Sequence, residues 1–343
     1  MRYEVQSPVE VQAITSLAAL ESLRDEWAGL WNRCPSATPF QCPDWLIPWW
    51  RHLGVGELLV LALRRDQQLR GIVPLVLDTQ PSQRVALLLG TGITDYLDGL
   101  WEMGMEDCGA KAVFNYLAGQ QDRWDICDFQ QLRSDSPLLA PAATPPEWAD
   151  EITVQECCPV LTLPTESEAL RRSIPHGQLR NLSYCQHRLE RMKDGRMEPG
   201  SERNLEELLH RLFELHTARW SARGRPGVLA DAAVQEFHRE VAPAFLRRGM
   251  LRLNGLYLAG RIAAVYYGFS HGEQTFFYLA GFDPALERLS LGTVLIGHAI
   301  EQAVREKRAE FDFLRGREDY KYRWGAQDHP NYRRRIRSSA GFL

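Results

Sequence analysis

The sequence predicts an α/β protein made of two tandem units, each a mixed antiparallel and parallel central sheet flanked by helices. Three observations carry that prediction. The chain has 343 residues, more than one hydrophobic core usually serves, so two domains are expected. Apolar residues make up 45% of it and charged residues 24%, an ordinary globular balance. One order of elements, hairpin, strand, helix, strand, is written twice.

The first copy is preceded by helices. Ser16 is a suitable N-cap, and Leu17, Leu20, Leu23, Trp27, Leu30 and Trp31 follow at three- and four-residue steps, which gives one apolar stripe. "PFQCPDWLIPWWRHLG" then reads as a proline-punctuated helix start with Trp45, Trp49 and Trp50 on one side. In "ELLVLALRRDQQLRGIVPLVLD" two apolar runs flank a polar DQQ turn, a hairpin signature. About 190 residues later "GMLRLNGLYLAGRIAAVYYGFS" repeats the device, with a strand restarting at a glycine in each copy: Gly71-Ile72-Val73, then Gly260-Arg261-Ile262. Each hairpin leads through an apolar strand ("RVALLLGTG", "QTFFYLAGF") into an amphipathic helix and an Asp-Phe strand ("DICDFQQL", "EFDFLRG"). Residues 1–157 and 158–343 are therefore the expected domains, with the seam between "TPPEW" and "CCPVLTLP".

A net charge of −4 argues against a surface built wholly for nucleic acid. Two segments are nevertheless basic. Residues 315–337 hold eight Lys or Arg against three acids, and Arg171 to Arg196 holds seven against two. An anionic ligand could sit between them; equally, both could be solvated surface, with RRRIR a soluble end. The seven cysteines form no CxxC and no Cys/His zinc spacing. "MRYEVQSPVEVQ" lacks a signal-peptide core and no run of about 18 apolar residues occurs, so a cytoplasmic protein with reduced thiols and no membrane insertion is expected.

The densest stretch is "FDFLRGREDYKYRWGAQ", residues 311–327. It opens as a buried strand, with Phe311 and Phe313 on one face and Asp312 on the other. "FHREVAPAFLRRGMLRL", "FFYLAGFDPALERLSLGTVL" and "FDFLRGREDYKYRWG" resemble the BioF-like acetyltransferases, a group of the GCN5-related N-acetyltransferase (GNAT) superfamily often associated with cellulose or other polysaccharide synthesis. "CPVLTLP", "LRNLSYCQHRLER" and "ELHTARW" extend the resemblance over most of residues 158–326. The duplication is similar to the twin-domain Fem-type aminoacyltransferases, which use aminoacyl-tRNA and carry an aromatic-Lys-x-x-aromatic-Gly element. Tyr320-Lys321-Tyr322-Arg323-Trp324-Gly325 matches it.

The resemblance implies acetyl-CoA or another acyl-CoA as co-substrate, its pantetheine arm laid along a strand edge and its pyrophosphate at the next helix start. Leu279, Ala280 and Gly281 would lie on the donor strand. Arg288 would open the phosphate loop, Ser290 would cap the helix, and Leu291, Gly292 and Thr293 would offer free N–H groups. The superfamily pattern Gln/Arg-x-x-Gly-x-Gly/Ala is not met: counted from Arg288, Leu291 and Thr293 stand at the small positions and the glycine is 292.

Four residues are candidates for catalysis. Asp312 would accept an amine proton or orient the acceptor, unless it serves neighbouring backbone or pairs with Arg315. Lys321 would neutralise a donor phosphate or stabilise an oxyanion, or else snorkel from an aromatic surface. His216 reads as a base or as a hydrogen-bonded core residue, and Tyr278 as a general acid to the leaving thiolate or as a core aromatic. No His/Cys/Asp cluster has metal spacing, and there is no Walker loop, GxSxG elbow or GxGxxG fingerprint. The expected activity is N-acyl transfer to an amine of a sugar, amino acid or other small metabolite. The alternatives are a tRNA-dependent aminoacyltransferase, ranked lower because of the acidic balance, and a non-catalytic partner in envelope polysaccharide synthesis.

Overall fold

The computed structural model describes residues 7–140, 144, 148–192 and 195–337. They form two compact units, one with the described residues up to Glu156 and those from Pro330 onward, the other with Cys157–His329. The expected seam falls partly outside the described residues, at Pro145, Pro146 and Glu147.

The first unit begins with β1 (Glu10–Ile14) and the helices α1 (Leu17–Ser22), α2 (Arg24–Arg33) and α3 (Pro43–Leu53). Ser16 caps the Ala19 N–H as expected, yet the single stripe is two helices, broken at Leu23. The hairpin is β2 (Glu57–Arg65) and β3 (Gln68–Gln80), turned at Asp66 and Gln67, both at positive φ. Then come β4 (Gln83–Leu88), the short β5 (Leu100–Trp101), α4 (Glu106–Ala118) and β6 (Ile126–Arg133). β4 and β6 are parallel, with Leu87 opposite Asp128. Gly71 does not restart a strand: it lies inside β3 opposite Leu63, whereas Gly260 is in the turn of the second hairpin.

The second unit takes up the chain at Cys157, within β7 (Ala149–Thr162), and continues through α5 (Ser167–Ser173), α6 (His176–Glu190), β8 (Arg196–Pro199), α7 (Leu205–Ser221) and α8 (Ala232–Arg247). The repeated motif follows as β9 (Leu251–Leu258), β10 (Arg261–His271), β11 (Gln274–Phe282), α9 (Leu291–Arg305) and β12 (Glu310–Asp312), with α10 (Asp319–Arg323) after it. The sheet runs β7-β12-β11-β10-β9-β8, and only the β11–β12 pair in it is parallel. α7 and α8 pack on one face; α9, with α5 and α6 behind it, packs on the other. Alternation sets the two cores: Tyr266 and Phe277 join Leu295 and Ile300 of α9, while Tyr267 and Phe269 meet His238 and Phe245 of α8.

The last strand, β13 (Gln327–Arg337), enters the first unit at Pro330 and pairs with β6, so residues 330–337 do not belong with the second unit as 158–343 had it. The RRRIR run is neither a soluble end nor an open anion patch. Arg333 grips both Asp128 carboxylate oxygens at 2.6 Å. Arg334 is fully buried, paired with Asp150 and donating to the carbonyls of Leu138 and Ala140. In the other basic segment, Lys193 lies outside the described residues.

Candidate active site in the second unit

Strand length creates the site. β12 pairs with β11 only as far as Phe276 opposite Asp312, and then ends. Leu314 takes a left-handed φ of 57° and Gly316 one of 108°, which turns the chain out of the sheet. β11 runs on to Phe282, so a fork opens between two parallel strands and no described strand pairs with residues 277–282 on that side. A bulge falls in this stretch: Tyr267 faces Leu279 and Gly268 faces Phe277, with Tyr278 the extra residue.

Asp312 ends β12 and is only 2% exposed. Its Oδ1 accepts from the Leu314 N–H at 2.7 Å, so the carboxylate holds the turn that opens the fork. Lys321 is buried as well, and its role differs from the expected one. Nζ donates to the carbonyl oxygens of Leu314 (2.9 Å), Arg315 (2.7 Å) and Gly316 (3.0 Å) and pairs with Glu318 at 3.0 Å. An ammonium has three protons, and here all three close the loop, leaving none for an oxyanion or phosphate.

Across the fork from this loop, α9 also begins differently from expectation. Ser290 is exposed and left-handed (φ 52°, ψ 43°), and its side chain makes no cap hydrogen bond. The Thr293 N–H donates to the Ser290 carbonyl at 2.9 Å and is not available to a ligand. Leu291 buries its side chain, while Gly292 is half-buried against the Phe282 ring. The first amides of a helix have no intrahelical acceptor, so Leu291 and Gly292 remain the donors. Arg288 is exposed and its carbonyl accepts from Arg188 at 2.9 Å.

Leu279, Ala280 and Gly281 lie on β11 beyond the fork. A Cβ at Gly281 would stand 2.8 Å from the Leu215 Cβ and 3.0 Å from the His216 nitrogen, so the glycine lets α7 lie directly on the strand. That contact places His216, 3% exposed, with no hydrogen-bond partner for Nδ1 among the described residues. Burial, aided by Arg219, lowers its pKa to about 4, so the ring is neutral. Tyr278, only partly buried, packs against His238, Tyr267 and Phe269 on the α8 side. The structure thus gathers Asp312, the β11 residues and the start of α9 around one fork, and assigns Lys321 to the loop.

Arg219 was not among the expected site residues. Its guanidinium carbon lies 4.3 Å from the centre of the Phe282 ring. A sequence signal existed: Leu215, His216, Ala222 and Arg223 surround it at helical spacing, and none is an acid. Separately, a groove of about 740 Å³ runs along another flank of α7, lined among others by Arg211, Glu214 and Asp283. It contains none of the expected residues, whereas the strand fork gathers several of them. Among the described residues no three His, Cys, Asp or Glu side chains converge as metal ligands, and no helix is long and apolar enough to cross a membrane.

Residues 176–322 match the family described as acetyltransferase (GNAT) domain. No curated protein sequence matches the chain. Among solved structures, FemX is similar over 95% of this chain and 96% of its own, with a TM-score of 0.67 at 11% identity. A conserved protein of unknown function from Bacteroides thetaiotaomicron matches over 96% of this chain and 100% of its own (TM-score 0.62, 11% identity). The C-terminal DUF2156 domain of a protein assigned as a lysylphosphatidylglycerol synthetase from Agrobacterium fabrum matches over 94% and 93% (TM-score 0.62, 12% identity). At such identities these likenesses are ones of fold alone, shared along almost the whole chain with FemX, while the match to the acetyltransferase (GNAT) family is confined to residues 176–322.

Proposed function

We propose that the second unit transfers an acyl group from acyl-CoA, acetyl-CoA in the simplest case, to the amine of a sugar, amino acid or other small metabolite. The observation that carries this reading is the fork: β12 stops at Asp312 while β11 continues to Phe282 and delivers the chain to α9. The open edge of β11 suits a pantetheine arm bonded like an added strand. The Leu291 and Gly292 amides suit the pyrophosphate. In the reaction the amine nitrogen attacks the thioester carbonyl, the C–N bond forms, the C–S bond breaks, and the amine proton leaves to the thiolate or to solvent. Asp312, at the mouth of the fork, orients the acceptor amine. The role of His216 is that of a neutral polar group beside β11, and the polysaccharide association of the resembled group makes an amino sugar a natural acceptor to try.

A second reading, an aminoacyl group carried by tRNA, is favoured by the opening of α9. The left-handed Ser290, the spent Thr293 amide and the missing small residues all suit coenzyme A less well than the superfamily pattern does. Calorimetry separates the readings. Acetyl-CoA should bind the full chain, and Gly292→Asp should weaken it at least tenfold by setting a carboxylate against the pyrophosphate. Binding of aminoacyl-tRNA without binding of any acyl-CoA would establish the second reading. Binding of neither would leave a non-catalytic partner of envelope polysaccharide synthesis.

A further inference from the structure

We infer that Arg219 is an anion-binding residue of this site, holding a phosphate or carboxylate of the substrate in front of the Phe282 ring, beside the start of α9. The inference rests on the reading of the fork as the transfer site. Other buried cations of the unit are satisfied: Lys321 by three carbonyls and Glu318, Arg252 by Glu306 at 2.6 Å. Arg219 is more than half buried, yet it has no ion pair and its Nε has no hydrogen-bond partner among the described residues. Glu318 and Glu287 act on it only at longer range, and Arg223 opposes them. Removing a guanidinium from water without a partner is costly, and such an arrangement is expected where a ligand completes it.

With its guanidinium carbon 4.3 Å from the centre of the Phe282 ring, the side chain can still turn its Nη donors to a bidentate bond with two oxygens of one anion. The ring it covers abuts α9: a Cβ at Gly292 would come within 3.7 Å of Phe282. Arg219 therefore stands one aromatic ring away from the Leu291 and Gly292 amides, supplying positive charge where the glycine-rich loop of the superfamily pattern is missing. Tyr320 from α10 lies close enough to feel its charge and, because burial keeps its hydroxyl protonated, adds an O–H donor.

Two probes that carry no thioester test this: inorganic pyrophosphate, which represents a donor phosphate, and succinate, which represents a substrate carboxylate. Each is titrated calorimetrically into the full chain and into Arg219→Gln and Arg219→Lys. At least one probe should bind, Arg219→Gln should weaken it tenfold or more, and Arg219→Lys should fall between, because a lysine keeps the charge and loses the fork geometry. The probe that binds identifies the source of the anion. Equal binding by Arg219→Gln, or no binding of either probe to the native chain, overturns the inference. Failure of acetyl-CoA to bind alongside Arg219-dependent pyrophosphate binding would reject the donor reading and keep this one; undiminished acetyl-CoA and pyrophosphate affinity in Arg219→Gln would do the opposite. Should the variants not fold, phenylglyoxal labelling of the native chain decides: the bound probe should slow modification of Arg219, and an unchanged rate overturns the proposal.

Discussion

Lys321 and Arg219 are two cations a few residues from the same fork, and their surroundings give them opposite uses. Lys321 is consumed by the Leu314, Arg315 and Gly316 carbonyls. Lys321→Met nearly keeps the volume and leaves those acceptors without their donor, at a cost of about 1–3 kcal/mol for each one left unsatisfied. The melting temperature should drop by several degrees, while turnover per folded molecule changes little. Scanning calorimetry and an activity assay on one preparation check this; lost turnover at an unchanged melting temperature would return Lys321 to the chemistry. The sequence marked residues 311–327 as unusual, but a lysine among aromatics reads the same whether it faces a ligand or a carbonyl cage. Only the left-handed turns at Leu314 and Gly316 bring three carbonyl oxygens to one point.

At the scale of elements, the contact between α7 and β11 sets the position of both His216 and Arg219, and it depends on the absence of a side chain at 281. Gly281→Ala puts a methyl group within 3.1 Å of the Leu215 side chain and the α7 backbone. Such overpacking costs about 1–3 kcal/mol and shifts the helix. The expected result is a lower melting temperature together with weaker binding of whichever anion probe binds the native chain. A stable variant with native binding would show that α7 is not what places Arg219. The element order was legible because hairpin turns and apolar alternation are local signals. Element ends were not: "EFDFLRG" reads as a longer strand than the three residues of β12, because the stop comes from the Asp312–Leu314 hydrogen bond.

For the chain as a whole, buried histidines set a dependence on pH. His216, His238 and His271 have pKa values lowered to about 4, 3 and 4 by burial, assisted by Arg219, His216 and Arg308 respectively. Unfolded, each would titrate near 6.5. Between these values the unfolded chain binds more protons, so stability rises with pH: it is fully present above about 6.5 and lost as pH falls towards the folded values. The melting temperature should therefore fall by several degrees from pH 7 to pH 5, and His216→Phe should reduce that fall. An equal fall in the variant would remove His216 from the effect.

The duplicated order of elements, the Asp-Phe strands and the location of the dense C-terminal segment are legible without the fold, since each is written in short-range periodicity and turn chemistry. Each unit indeed places its Asp-Phe strand parallel to the strand that follows its hairpin, with Asp128 opposite Leu87 and Asp312 opposite Phe276. The long-range partnerships arise only when the chain folds. Arg333 and Arg334, neighbours in a run that reads as solvated tail, meet Asp128 and Asp150 from 205 and 184 residues away. Arg219 and Phe282, some 60 residues apart, meet because α7 lies on the bare backbone of Gly281. The energy of a charge depends on what folding brings beside it, and no local pattern encodes that neighbour.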